Sequence, residues 1–144
     1  MFRQLTDYLW VSPQITLADV DAAAEQGIAL IINNRPEGES EDQTPGDAIA
    51  AAAAAKGIAY VAIPVTHAGF SQAQVTAMRE ALGRSDGNKM LAYCRSGTRS
   101  TLLWALASAS EGKNPDELAI QAGHAGYDLT PVRQLMDMLA STPS

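Results

Sequence analysis

The sequence of 144 residues contains one cysteine, Cys94, so no disulfide can form within the chain. It also lacks long apolar runs, and the run over residues 48–55 is far too short to span a bilayer. Ten Lys and Arg residues face sixteen Asp and Glu residues, and the net charge of −6 creates no general attraction for nucleic acid or an anionic membrane. Glycine and proline follow no period, which excludes fibrous classes. We therefore expect neither nucleic acid nor membrane as a partner.

The composition is that of an ordinary globular protein, with 47% hydrophobic and 18% charged residues. The length corresponds to one domain, and we assign residues 1–144 to it. The first seven residues lack the apolar segment of a signal peptide, so we expect a cytoplasmic protein.

Apolar strand-like runs alternate with helical segments along the chain. The predicted strands cover residues 8–11, 28–32, 58–63 and 90–93. Six helices are predicted. The first follows Thr16 and ends at residue 26, the second runs through the alanine tract, and the third extends from Ser71 to about residue 84. The others cover residues 101–110, begin at residue 115, and extend from residue 131 to about 140. Thr16 with Asp19 and Ser71 with Gln74 form capping boxes. This order predicts an α/β fold: a three-layer sandwich around a mainly parallel sheet of four to five strands.

Cys94 is the first residue after the fourth predicted strand, in a loop that leads into a helix. Backbone N–H groups and the helix dipole give such a loop partial positive charge, and Arg95 and Arg99 flank the cysteine. These effects favour an exposed, nucleophilic thiolate. Gly97 permits the backbone to curl so that successive N–H groups converge on one anion. A cysteine that only fills the core does not need so polar and cationic a loop.

The roles expected in this loop follow from side-chain chemistry. Cys94 is the predicted nucleophile, and Arg99 can bind a tetrahedral oxyanion through two hydrogen bonds. Ser100 is placed to donate a hydrogen bond toward the sulfur or to cap the helix. The residues predicted to bind the anion are Arg95, Ser96, Gly97, Thr98 and Ser100.

Polar residues also follow the second and third predicted strands, at the sheet edge where Cys94 lies. Arg35 either binds the tail of an anionic substrate or is a surface arginine, while Asn33 and Asn34 can fix the loop by hydrogen bonds to the backbone. His67 is a possible acid or base, although a loop histidine is more often only exposed. Arg35, Asn34 and His67 are the further residues that we expect to bind the substrate or anion. No ligand set of metal-binding spacing is present, so we expect no metal and no cofactor. The sequence does not place Tyr127 and Asp128 relative to this edge.

The segment Tyr93-Cys94-Arg95-Ser96-Gly97-Thr98-Arg99-Ser100 resembles two known loops. It is similar to the C-x5-R loop of cysteine-dependent protein phosphatases and, more closely, to the persulfide loop of rhodanese sulfurtransferases. From Leu5 to about Leu106, the chain resembles the phosphatase-like domain of bacterial beta-lactamase hydrolase-like proteins. The stretches that carry this resemblance are residues 9–14, 31–36 and 91–100. The resemblance implies a cysteine-phosphatase-like sandwich, in a family whose members are named as phosphatases and as sulfur transferases.

Two departures from the phosphatase pattern decide between these activities. Cys94 and Arg99 are separated by four residues instead of five, which suits a terminal sulfur better than a phosphoryl group. Residues 63–65 resemble a segment of dual-specificity phosphatases, but the aspartate that follows there and protonates the leaving group is missing. The sequence therefore favours a sulfurtransferase that passes sulfane sulfur from thiosulfate or a small persulfide, through a Cys94 persulfide, to a thiol or protein acceptor.

Two alternatives stay open from the sequence. One is a tyrosine or dual-specificity phosphatase that hydrolyses a phosphate ester through a Cys94 phosphocysteine, with His67 or water replacing the missing acid. The other is a non-enzymatic module that binds an oxyanion. The sequence does not determine the oligomeric state.

Overall fold

Strands and helices alternate over residues 2–84 and 86–141, which the computed structural model describes. The strands are β1 (Arg3–Gln4), β2 (Leu9–Ser12), β3 (Ile28–Asn33), β4 (Ala59–Ala62) and β5 (Lys89–Tyr93). The α-helices are α1 (Leu17–Glu25), α2 (Gly46–Ala55), α3 (Gln72–Gly83), α4 (Thr98–Ser110), α5 (Pro115–His124) and α6 (Arg133–Ser141), and the 3-10 turn Thr130–Val132 precedes α6. The four predicted strands and six predicted helices are all present, with small shifts at their ends.

The strands form one sheet in the order β1-β2-β5-β3-β4. β2, β5, β3 and β4 are parallel, while β1 adds an antiparallel edge next to β2. The mainly parallel sheet is therefore confirmed, with five strands. β1 was not predicted because two residues are too few to produce an alternating pattern.

Helices cover both faces of the sheet and create two hydrophobic cores. α1 and α2 pack on one face over a core that includes Ile31 and Ile49, and α3 to α6 pack on the other. Eleven of the thirteen residues of α4 are buried, so this helix lies between the sheet and its neighbouring helices. The three-layer sandwich is confirmed. Among the described residues, no helix combines the length and apolarity that crossing a bilayer requires.

Local hydrogen bonds set where the helices begin. Both predicted capping boxes are present, since the Thr16 and Ser71 hydroxyls each accept a bond from the N–H three residues later. α4 differs from the prediction, because it begins at Thr98 instead of residue 101. Its N-cap is Gly97 in a left-handed conformation, with φ of 90°. Arg99 and Ser100 therefore belong to the first helical turn.

Candidate active site

The carboxyl ends of three parallel strands meet where the cysteine loop begins. In the register of the sheet, Ser12 of β2 and Asn33 of β3 both pair with Tyr93, the last residue of β5. The Cys94 N–H donates to the Ser12 carbonyl oxygen at 3.4 Å. Cys94 is thus held at the middle of the sheet edge, where ligands of parallel α/β folds bind.

The Cys94 sulfur lies beneath its own loop. The Gly97 N–H donates to Cys94 Sγ at 3.1 Å, which closes the loop over the sulfur. Cys94 has no exposed surface, so the expectation of an exposed thiolate is wrong. The compact turn at Gly97, with its positive φ, explains this burial because it folds the backbone back onto the sulfur.

Free backbone donors lie in the same loop as the sulfur. Among the described residues, the N–H groups of Arg95, Ser96, Arg99 and Ser100 donate to no protein acceptor. Such an arrangement at a helix N-terminus suits an anion. The side chain of Ser96 is exposed and donates to Thr98 Oγ1 at 3.0 Å, so these two hydroxyls pair with each other.

The guanidinium of Arg99 is fixed by a carboxylate and a carbonyl. Nη1 and Nη2 donate to the two oxygens of Glu39 at 2.7 and 2.8 Å, and Nη1 also donates to the Val65 carbonyl at 2.6 Å. Nε–H and the second Nη2–H, which share one edge of the guanidinium, donate to no oxygen of the described residues. Glu39 raises the pKa of Arg99, with smaller contributions from Cys94, so Arg99 lies beside the sulfur. A hydrogen bond to Cys94 also contributes to the raised pKa of Arg99, and an oxyanion next to the sulfur can bind the edge that carries Nε through two hydrogen bonds.

Glu39 is a site residue that the sequence did not reveal. Besides its bonds to Arg99, it accepts from Arg35 Nε at 2.8 Å. The hydrogen bond from Arg99 is the main reason that the pKa of Glu39 falls to about 2. Glu39 lies in a polar loop with other acidic residues, where neither periodicity nor a motif distinguishes it. Its only signal is the spacing of four residues from Arg35.

Arg35 is not the surface arginine that one interpretation of the sequence expected. Its side chain is only 4% exposed, so it is not a surface arginine. It donates to Glu39, to Gln14 Oε1 at 3.0 Å and to Ser40 Oγ at 3.2 Å, and these bonds leave little of it for a substrate. A buried charge needs such partners to offset its desolvation. Arg35 therefore helps to hold the Glu39 carboxylate in place.

The hydroxyl of Ser100 donates to a side chain inside the protein and not to the sulfur, which corrects the role expected for it. Its Oγ donates to Asn34 Oδ1 at 2.7 Å, and Asn34 Nδ2 donates to the Ile63 carbonyl at 2.9 Å. Both side chains are fully buried. Asn34 thus connects the first turn of α4 to the segment after β4. Its side chain stabilises the loop from inside the protein.

The carboxylates that interact with the arginines of the cysteine loop are ionised. Glu39 is held ionised by its arginines, and a hydrogen bond from Ser40 lowers the pKa of Asp42, whose charge also interacts with that of Arg95. His67 is exposed and makes no hydrogen bond or ion pair with the described residues. The two carboxylates that interact with the loop arginines are therefore bases without protons near neutral pH.

Tyr127 approaches the cysteine loop from the segment after α5. Its hydroxyl donates to the Ser96 carbonyl oxygen at 3.1 Å, and the Arg3 guanidinium lies 5.4 Å from the centre of its ring. Burial raises the pKa of Tyr127 above its usual value. Asp128 is exposed instead and accepts hydrogen bonds from Thr130. The sequence could not place these residues, because α5 and the turn after it decide which one meets the loop.

The mainly parallel sheet between two layers of helices, with a cysteine directly after its central strand, is a cysteine-phosphatase-like fold. Comparison with known proteins leads to the same fold. The chain belongs to the family of the phosphatase-like domain of beta-lactamase hydrolase-like proteins, whose profile matches residues 1–111.

Individual relatives support this assignment. A beta-lactamase hydrolase-like protein from Xylella fastidiosa is 34% identical over 126 residues, which are 87% of this chain and 29% of that protein. The crystal structure of a candidate phosphatase from Neisseria meningitidis has a TM-score of 0.83 at 36% identity, covering 95% of this chain and 96% of that one. Kinase associated phosphatase, with its catalytic-site cysteine replaced by serine, has a TM-score of 0.75 at 17% identity, covering 99% and 96% of the two chains, and shows the shared fold alone. The chain spans less than a third of the curated relative.

Proposed function

We propose that this chain is a cysteine-dependent phosphatase that hydrolyses phosphate monoesters through a phosphocysteine at Cys94. The observation that carries the proposal is that one loop holds a buried sulfur, the Arg99 guanidinium beside it and unpaired N–H groups. The family and the solved relative named as a candidate phosphatase favour this activity over the sulfur transfer expected from the sequence.

The reaction has two displacements at phosphorus. The Cys94 thiolate attacks the phosphorus, an S–P bond forms, and the ester P–O bond breaks to release the alkoxide or phenoxide. Water then attacks the phosphocysteine, the S–P bond breaks, and inorganic phosphate leaves while the thiolate is restored. Arg99 and the loop N–H groups bind the phosphoryl oxygens and stabilise the charge that spreads over them in both transition states.

The leaving group must depart without a carboxylic acid beside it. Glu39 holds no proton at neutral pH, and His67 makes no contact that would place it over the site. General acid catalysis contributes roughly 10²- to 10⁴-fold, so its absence disfavours alkyl phosphates most. We therefore propose aryl phosphates, including phosphotyrosine, as the substrate class, because a phenoxide leaves more readily than an alkoxide.

The burial of Cys94 sets a further requirement. A phosphorus atom can reach Sγ only if the loop opens, because the backbone turn at Gly97 closes over the sulfur. The side chains of Arg95, Ser96 and Thr98 in this loop are exposed. Phosphate binding itself would draw the loop N–H groups and Arg99 toward the oxyanion.

The test is hydrolysis of para-nitrophenyl phosphate by the reduced protein and by variants. We expect turnover in the wild type, competitive inhibition by vanadate, no turnover in Cys94→Ser, and a loss of roughly 100-fold in Arg99→Lys, whose ammonium cannot bind two oxygens side by side. Arg84→Lys, at an exposed arginine outside the loop, is the matched control and should retain wild-type rates. Equal turnover in wild type and Cys94→Ser would exclude the mechanism.

A second candidate is transfer of sulfane sulfur through a Cys94 persulfide. The specific observation that favours it is the spacing of four residues between Cys94 and Arg99, together with the lack of a proton donor, since sulfite and thiolates leave without one. Incubation with thiosulfate followed by intact mass measurement without reductant tests it. A gain of one sulfur in wild type that is absent from Cys94→Ser would support transfer. Anion binding without any turnover would leave only an oxyanion-binding module.

A further inference from the structure

One peptide group connects Tyr127 to the Cys94 sulfur. The Ser96 carbonyl accepts a hydrogen bond from the Tyr127 hydroxyl at 3.1 Å, and the Gly97 N–H donates to Cys94 Sγ at 3.1 Å. This carbonyl and this N–H belong to the same planar peptide unit, where they point in opposite directions. Fixing the carbonyl on one side therefore fixes the N–H on the other.

We propose that Tyr127 is a positioning residue: by binding the Ser96 carbonyl, its hydroxyl holds the Gly97 N–H on the Cys94 sulfur and so favours the thiolate. Nothing in the reaction requires Tyr127 to touch the substrate. The inference rests on the proposed function only in taking Cys94 as the nucleophile. It holds for phosphoryl and for sulfur transfer alike.

The position of the Tyr127 ring is itself determined by the fold. The Tyr127 N–H donates to the Ala122 carbonyl at 2.9 Å at the end of α5, and Arg3 of β1 lies over the ring. Arg3 is held in turn by a bond from Nη1 to the Ala125 carbonyl at 3.1 Å. Tyr127 lies beyond residue 111, where the family match ends, so this support comes from outside the matched segment.

Gly97 is adapted to the approach of the tyrosine. A Cβ built on Gly97 would overlap the Tyr127 hydroxyl, so the absence of a side chain is what allows the ring to come this close. The positive φ of Gly97 then directs the chain from this peptide into α4. Burial raises the pKa of Tyr127, so the phenol keeps the proton that it donates at neutral pH. A carbonyl that accepts a hydrogen bond also polarises the N–H of its own peptide, which strengthens the bond to sulfur.

The experiment compares Tyr127→Phe with Tyr8→Phe. Each variant loses one hydroxyl, but Tyr8 is 48% exposed and lies in the turn between β1 and β2, away from the loop. The thiolate is followed by its ultraviolet absorbance against pH, and the Cys94→Ser variant in each background is subtracted to remove the tyrosine signal. Because Cys94 is the only cysteine in the sequence, the difference reports it alone and needs no reagent to reach the buried sulfur.

We expect the midpoint of thiolate formation in Tyr127→Phe to move upward by about 0.5–1 pH unit, the 3- to 10-fold change that one hydrogen bond of ordinary strength gives. Tyr8→Phe should match the wild type. The other groups near the sulfur, Arg99 with its partner Glu39 and the exposed Arg95, are unchanged in both variants. A lower melting temperature with an unchanged midpoint would overturn the proposal and leave Tyr127 a merely structural residue. If the midpoint shifts but the protein has no phosphatase activity, the positioning role of Tyr127 is supported and the proposed phosphatase function is rejected.

Discussion

Glu39 binds Arg99 through both of its carboxylate oxygens, at 2.7 and 2.8 Å, and also accepts from Arg35. The loop after β3 thus decides how the arginine of the cysteine loop is oriented. Since Glu39 occupies the end of the guanidinium and Val65 takes a third N–H, the edge with Nε is the part left for an oxyanion. Glu39 acts on the chemistry through Arg99 and not as a proton donor.

The first prediction concerns Glu39→Gln, which keeps the size of the side chain but removes its charge. We expect kcat/KM for para-nitrophenyl phosphate to fall roughly 10- to 100-fold, because Arg99 loses the contact that orients it. The free energy of unfolding at neutral pH should fall by about 3 kcal/mol, since two largely buried arginines lose their common counter-charge.

Glu41→Gln is the matched control for this change. Glu41 lies two residues away in the same loop, is exposed, and makes no bond with the described residues. It should retain wild-type activity and stability. If both variants behaved alike, the orientation of Arg99 would not depend on Glu39.

The second prediction is the pH dependence of stability. In the folded protein the pKa of Glu39 is about 2, whereas its ordinary value is 4.5, so between these values the unfolded chain binds more protons. The stabilisation is therefore fully present above about pH 5 and is lost as the pH falls toward 2. Its size is about 3 kcal/mol, because one pKa unit corresponds to 1.36 kcal/mol.

Urea unfolding at several pH values measures this effect. The difference in unfolding free energy between wild type and Glu39→Gln should be constant from pH 7 to 5 and shrink from pH 5 to 2.5. Asp42 and Asp128, whose pKa values are also lowered, are present in both proteins and cancel in the difference. A difference that stays constant down to pH 2.5 would contradict the assignment.

The third prediction separates two roles of Gly97. Gly97 and Gly112 share a φ of 90°, but a Cβ at Gly112 would meet nothing within 4 Å, whereas at Gly97 it would overlap Tyr127. Gly112→Ala should lower the free energy of unfolding by about 1–2 kcal/mol, the cost of a left-handed alanine. Gly97→Ala should lose at least about 1 kcal/mol more and nearly all activity. Equal losses in thermal or urea unfolding would mean that Tyr127 does not restrict this position.

The fold was largely predictable because strands covered on both faces and capped helices leave local patterns. The site was predictable only where a single segment carries it, as for Cys94 and Arg99. Glu39 and Tyr127 escaped because each reaches the loop through tertiary structure, from a polar loop and from the turn after α5. Cys94 was expected to be exposed since its loop is polar, but a turn of four residues buries the sulfur whatever the polarity of its side chains.

The last prediction tests whether Ser100 braces the site or binds the anion. Ser100→Ala leaves Asn34 Oδ1 buried without a donor, which should lower the free energy of unfolding by about 1–3 kcal/mol. Ser110→Ala, in the same helix, removes a buried hydroxyl bonded only to the Ala107 carbonyl within α4, and should cost less than about 1 kcal/mol. Vanadate inhibition should be equal in both variants and in the wild type, because the Ser100 hydroxyl donates its hydrogen bond to Asn34 inside the protein. A several-fold weaker inhibition in Ser100→Ala at unchanged stability would instead place that hydroxyl on the anion.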